Sequence, residues 1–97
     1  MNKEGSYSYR NANNSTEAFE IAQNSISEVS KSMVEKFKLK FSFDAGQKRI
    51  EAKGKGIELA LVFHDTSVDL LMKLSFLVRP FKDKISSGIL KELEKTL

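Results

Sequence analysis

The chain lacks the residues on which several common kinds of protein site depend. Its 97 residues contain no cysteine and no tryptophan, one proline and one histidine. The absence of cysteine excludes disulfides, thiolate catalysis and cysteine-ligated zinc, and it is compatible with the cytoplasm, where we expect the protein to be. No apolar stretch reaches the ~20 residues of a membrane-spanning helix, because Asp65, Asp69 and Lys73 interrupt the candidates. We therefore expect neither a transmembrane segment nor, from the polar N-terminus, a secretory signal.

What is present is the composition of one globular domain. Hydrophobic residues make up 40% of the chain and include seven phenylalanines, which is typical of a folded core rather than of disorder. We expect residues 14–97 to form a single α+β domain and residues 1–13 to be a flexible polar tail. Tyr7 and Tyr9 alternate with serines, so a short strand at 6–10 is the open alternative for part of this tail.

Two segments show the apolar spacing of helices. Asn14 is a good N-cap, and Glu17 stands three residues later, where a capping box places its acid. Apolar residues then recur every three or four positions and predict a helix to about residue 37: Ala18, Ala22, Ile26, Val29, Met33 and Phe37. Pro80 predicts the start of a second helix, whose stripe continues to the end of the chain: Phe81, Ile85, Ile89, Leu93 and Leu97.

Between these helices the apolar spacing changes to two. Apolar and polar residues alternate strictly over 39–44, and every second residue is apolar over 57–63 and 68–74, which predicts strands. Residues 49–53 are a weaker strand segment. Short turns join the segments, which favours antiparallel neighbours. The predicted fold is α+β: an antiparallel three-stranded meander, with an N-terminal fourth strand left open, and two helices packed on one face. The second face of the sheet would be open.

The sequence offers no catalytic arrangement. His64 and Asp65 are adjacent, and adjacent strand residues point to opposite faces, so Asp65 is a poor partner for the histidine ring. A metal site of the histidine type lacks a second histidine. Gly54, Lys55 and Gly56 lack the spacing of a phosphate-binding loop. We therefore expect no enzyme activity, no metal and no cofactor.

A binding surface is the better expectation. Residues 38–56 carry six basic and two acidic side chains, a net charge of +4 in a chain of net charge +3, and such a patch attracts anionic partners. On the open face, three apolar side chains are expected to form a patch rimmed by charge, which is typical of interaction sites. The predicted interaction surface comprises Lys40, Arg49, Lys53, Lys55, Ala60, Val62, Leu71 and Lys73.

Three stretches carry a family resemblance. They are the alanine-rich start of the first helix, the sequence KRIEAKGKGIEL at 48–59, and the strand-to-helix junction LSFLVRPFK at 74–82. In these stretches residues 15–97 resemble a small bacterial family, the polyhydroxyalkanoic acid system proteins. The family usually has a strand and a histidine before the first helix, whereas residues 11–14 of this chain contain no histidine. The resemblance implies an accessory or granule-associated protein of storage-polyester metabolism and brings no active-site residue.

Three functional hypotheses follow. The first is a non-enzymatic accessory protein that binds a protein or a polyester granule surface through the open face. The alternative is an anion-binding module that recognises nucleic acid or a nucleotide through the basic hairpin 38–56, although the open face offers no aromatic side chain for stacking on bases. The third, a homo-oligomer formed by open sheets or edge strands, is compatible with either.

Overall fold

A computed structural model describes residues 2–29 and 31–97, with the side chains of 27–29 and 32–34 outside the description. In chain order, the elements are β1 (Asn2–Ser8), α1 (Ser15–Val29), α2 (Lys31–Phe37), β2 (Lys40–Asp44), β3 (Arg49–Gly54), β4 (Ile57–Phe63), β5 (Ser67–Leu74), a 3-10 turn (Arg79–Phe81) and α3 (Lys82–Thr96).

The strands form one antiparallel sheet of five strands in the order β1-β5-β4-β3-β2. The α+β class is confirmed, but the predicted count of three strands, or four with an N-terminal strand, was too low. The weaker segment at 49–53 is a full member of the sheet, because Ile50 and Ala52 are buried against the core while β2 and β4 pair with its two edges.

The N-terminal segment, which we expected to be a flexible tail with at most a strand at 6–10, is the edge strand β1. It pairs with β5, so that Ser6 lies opposite Asp69 and Tyr7 opposite Val68. Beyond the strand, the N–H groups of Arg10 and Ala12 donate to the backbone oxygen of Leu97 at 2.8 and 3.0 Å. Backbone pairing holds this segment in place, although its side chains are mostly polar.

The structure describes the first predicted helix in two parts, α1 and α2, on either side of residue 30, which lies outside the described residues. The start of this helix is as predicted, since the Asn14 side-chain oxygen accepts a hydrogen bond from the Glu17 backbone N–H at 2.9 Å. The predicted stripe is buried at Ala18, Ala22, Ile26 and Phe37. Val29 and Met33, the remaining members of the stripe, lie outside the described side chains.

Both α1 and α3 pack on one face of the sheet, here called the inner face, as predicted. The rings of Phe19 in α1 and Phe63 in β4 meet edge to face, 5.8 Å apart. Helix α3 buries Ile85, Ile89 and Leu93 in the same core. The opposite face of the sheet, here called the outer face, carries the alternate side chains of each strand.

Candidate interaction surfaces

The strand register places most of the predicted surface residues together on the outer face. Lys40 lies opposite Lys53, and Ala60 lies opposite Leu71. Arg49, Val62 and Lys73 occupy the same face at neighbouring positions, because residues two apart on a strand share a face. Lys55 is the exception, since it lies in the turn between β3 and β4.

The apolar part of the outer face is smaller than predicted. Ala60 is 0% exposed, because it lies at the centre of the sheet between Glu51 and Leu71 on the neighbouring strands. Val62 and Leu71 are only half-exposed. The accessible apolar area is therefore limited to parts of two side chains.

Several charges of the outer face are paired. Arg49 Nε lies 2.8 Å from Glu51 Oε1, and Lys3 Nζ lies 3.3 Å from Asp69 Oδ1. His64 Nε2 lies 3.0 Å from the other carboxylate oxygen of Asp69. Burial acts to raise the pKa of the Asp69 carboxyl, but the hydrogen bonds from His64 and Lys3 outweigh it and hold the pKa below its ordinary value. The face is thus mixed in charge rather than uniformly basic.

The most exposed large apolar side chains lie elsewhere, in a turn that the sequence did not predict to be part of an interaction surface. Phe76 is 81% and Leu77 is 80% exposed. They are the two central residues of a turn in which the Val78 N–H donates to the Ser75 carbonyl at 3.0 Å. The signal in the sequence was an apolar pair between β5 and Pro80 that fits neither strand alternation nor the helical stripe.

This turn is fixed to the rest of the protein at its base. The Ser75 N–H donates to the Gly56 carbonyl at 2.8 Å, and Val78 is buried at 8% exposure. Gly56 has φ +78°, and a Cβ there would lie 2.6 Å from Ser75 Oγ. The turn is therefore packed tightly against the β3–β4 hairpin, which leaves Phe76 and Leu77 pointing away from the core. We call residues 75–81 the apolar loop.

Basic side chains lie around the apolar loop. The Lys36 ammonium is 4.8 Å from the centre of the Phe81 ring, which is itself 40% exposed. A surface groove of about 430 Å³ lies beside the loop. Three basic residues and one acid contribute to it, and its lining is Asn2, Glu4, Met72, Lys73, Leu74, Arg79 and Lys82. Glu4 and Lys82 form an ion pair at 2.9 Å, so Lys73 and Arg79 supply the positive charge that is left.

The described interior contains a small apolar cavity. Its volume is about 30 Å³, and it lies between the helices and the sheet, with Ile26, Phe41 and Leu93 in its lining. Such a volume is far below the roughly 300–1,000 Å³ of small-molecule binding sites. Among the described residues there is no group of three or more acidic or histidine side chains able to hold a metal ion, and no helix is long and apolar enough to cross a membrane.

Comparison with known proteins identifies the family. Residues 15–97 match the family model described as "Putative polyhydroxyalkanoic acid system protein". The chain belongs to this family. The resemblance inferred from the sequence is thus confirmed, and the matched region of this polyhydroxyalkanoic acid system protein contains both the apolar loop and strands β2 to β5. No curated protein and no solved structure matches the chain.

Proposed function

We propose that the protein is a non-enzymatic accessory protein that binds the surface of polyhydroxyalkanoate granules through the apolar loop. The observation that carries the proposal is the exposure of Phe76 and Leu77, at 81% and 80%, on a turn that is fixed at its base. The family to which the chain belongs is named for the same storage system.

The energetics favour the loop as the binding element. Full burial of a large apolar side chain contributes roughly 1.5–3 kcal/mol, so transfer of Phe76 and Leu77 into an apolar surface is a substantial driving force. The Ser75–Val78 hydrogen bond and the burial of Val78 already order the turn. Little conformational entropy is then lost on binding, because a preorganised element has less to lose.

The outer face is less suitable for an apolar partner. Val62 and Leu71 are half-buried, and the ion pairs of Arg49 with Glu51 and of Lys3 with Asp69 surround them. A flat apolar partner would remove water from these charges, and the desolvation of ion pairs opposes binding. The loop presents no such cost at Phe76 and Leu77.

Sedimentation with isolated granules tests the proposal. The test variant combines Phe76→Ser with Leu77→Ser, and the matched control combines Val62→Thr with Leu71→Gln on the outer face. We expect the wild type and the control to co-sediment, and the loop variant to lose binding at least about tenfold. A wild type that stays in the supernatant would contradict granule binding. Loss of granule binding in the outer-face variant alone would show that the outer face, and not the loop, is the binding site.

One observation favours the second candidate, an anion-binding hairpin. Lys40 and Lys53 are directly opposite on the outer face, although like charges in this position destabilise a sheet. An anion that bridges them would relieve the repulsion. We expect a single-stranded oligonucleotide to bind weakly, with an affinity that falls steeply between low and physiological salt, and Lys53→Gln to weaken it. No binding at low salt would remove this candidate.

A further inference from the structure

Strand β2 is an edge strand with an incompletely covered inner face. Within the described part of the chain it pairs only with β3. Phe43 shares the inner face with Phe41, and the two rings stack at 6.4 Å, yet Phe43 remains 41% exposed. A strand with an unpaired edge and an exposed aromatic side chain is suited to pairing with another strand.

The sequence of β2 is complementary to itself. Its five residues read KFSFD, so an antiparallel copy centred on Ser42 places Lys40 opposite Asp44 and Phe41 opposite Phe43. Residues directly opposite in an antiparallel pair share a face. Registers shifted by one residue are therefore excluded, because they would place inner-face residues opposite outer-face ones. Shifts by two leave fewer strand residues paired and place Lys40 opposite Ser42 or outside the strand.

We propose that two copies of this chain associate through β2, in the register centred on Ser42, to form one continuous sheet with twice the five strands of the monomer. On the inner face, Phe41 and Phe43 of the two copies would form a cluster of four rings. On the outer face, each Lys40 would meet an Asp44 of the second copy.

This pairing accounts for the unfavourable charge contact in the monomer. Lys40 has Lys53 as its neighbour on β3, and in the dimer the carboxylate of Asp44 from the second copy lies on its other side. Opposite charges in directly opposed positions stabilise a sheet, as like charges destabilise it. Edge N–H and carbonyl groups of β2 also gain partners across the dimer axis.

The two edges of the sheet differ in a way that supports this choice. Strand β1, the other edge, has an irregular register between Lys3 and Gly5. Such a bulge is a usual protection of an edge against pairing. Strand β2 pairs with β3 at all five of its residues without interruption, so its outer edge is regular. A second copy is therefore expected at β2 rather than at β1.

Disulfide trapping tests the proposal directly, because the chain contains no cysteine. Opposite residues of an antiparallel pair have Cα atoms about 4.5–5.5 Å apart, which is within the range of a disulfide. Under mild oxidation, Ser42→Cys is expected to form a covalent dimer at least about tenfold faster than Ser6→Cys, the control on the exposed outer face of β1. Light scattering of the unmodified protein should give a mass near twice 11.0 kDa.

Two further variants test the register. Lys40→Cys and Asp44→Cys should each cross-link poorly alone, since neither faces its own copy, and should cross-link rapidly when mixed. In addition, Lys40→Glu should shift the protein to monomer, and Lys40→Glu with Asp44→Lys should restore the dimer. Equal rates for Ser42→Cys and Ser6→Cys, together with a monomeric mass at high concentration, would overturn the proposal. The loop variant Phe76→Ser/Leu77→Ser should dimerise normally, so this outcome is independent of granule binding.

Discussion

His64 and Asp69 are joined across the β4–β5 hairpin, with the imidazole Nε2 3.0 Å from the carboxylate Oδ2. The other oxygen of the same carboxylate lies 3.3 Å from Lys3 Nζ on β1. Asp69 therefore links three parts of the sheet: the edge strand β1, its own strand β5, and the turn that follows β4. The histidine partner is not the adjacent Asp65 but a residue that the hairpin brings alongside.

The Asp69 carboxylate should make the stability of the protein depend on pH in the acidic range. The pKa of Asp69 is lowered in the folded protein. The carboxylate therefore stabilises the fold above the ordinary aspartate pKa of about 3.9, and this stabilisation is lost as pH falls through the pKa of the folded state. We expect Asp69→Asn to lower the free energy of unfolding by about 0.5–1 kcal/mol at pH 7. In urea titrations at low pH, with Asp69 protonated in both states, the difference should vanish. An equal difference at both pH values would contradict this account.

Two tyrosines near the N-terminus make a matched pair. The Tyr9 hydroxyl donates toward the carbonyls of His64 and Ser67, 2.8 Å from each. The buried Tyr7 hydroxyl has no hydrogen-bond partner among the described residues. We expect Tyr9→Phe to destabilise the protein by about 1–2 kcal/mol, and Tyr7→Phe to be neutral or stabilising, because it removes an unsatisfied buried group. Urea unfolding at pH 7 measures both, and a larger loss for Tyr7→Phe would contradict the assignment.

Tyr9 also determines how the stability of the protein changes at alkaline pH. Burial, and then the nearby charges of Asp65 and Asp69, raise the pKa of Tyr9 to about 12. Because the pKa is raised, the Tyr9 hydroxyl stabilises the fold fully below the tyrosine pKa of the unfolded chain, about 10. This stabilisation is lost as pH rises toward 12. The stability difference between wild type and Tyr9→Phe should therefore narrow above pH 10. A difference that stays constant would show that Tyr9 ionises as easily in the folded chain as in the unfolded one.

Sequence patterns predicted the elements that bury one regular face. The apolar residue at every second position over 57–63 and the four-residue spacing of Ile85, Ile89 and Leu93 both follow from contact with the core. Strand β1 was predicted only as an alternative at 6–10, because an edge strand is held by backbone hydrogen bonds, which leave little trace in the side-chain pattern. The exposure of Phe76 and Leu77 was not predicted, for a different reason. In a turn, the backbone direction decides which side chains face outward, and of the apolar run 76–78 only Val78 turns inward.

The different burial of the three residues 76–78 can be tested by measuring the free energy of unfolding of variants. Phe76→Ser with Leu77→Ser should change the free energy of unfolding by less than about 0.5 kcal/mol, because both side chains are already exposed to water. Val78→Ala removes buried methyl groups beside the β3–β4 hairpin and should cost about 1–3 kcal/mol. Thermal or urea unfolding measures both. A large loss in the loop variant would mean that Phe76 and Leu77 serve the fold, and would weaken the case for their role in binding.

Gly54 and Gly88 should respond oppositely to the same substitution. A Cβ on Gly54 would collide with the backbone oxygen of Phe37 and lie 2.8 Å from a methyl group of Leu39. The Phe37 oxygen also accepts a hydrogen bond from the Lys55 N–H at 2.8 Å, so it cannot move away without breaking the link between α2 and the hairpin. Gly88, in the interior of α3, has open space around the equivalent position.

We therefore expect Gly54→Ala to destabilise the protein by about 2 kcal/mol or more, as strain at a crowded backbone position does. Gly88→Ala should stabilise it by up to about 1 kcal/mol, because alanine has the higher helix propensity. Urea unfolding of the two variants beside the wild type measures both signs in one experiment. A neutral Gly54→Ala would mean that α2 and the β3–β4 hairpin can separate at little cost. In that case the base of the apolar loop, which rests on the same hairpin through Gly56, would be less rigid than its hydrogen bonds indicate.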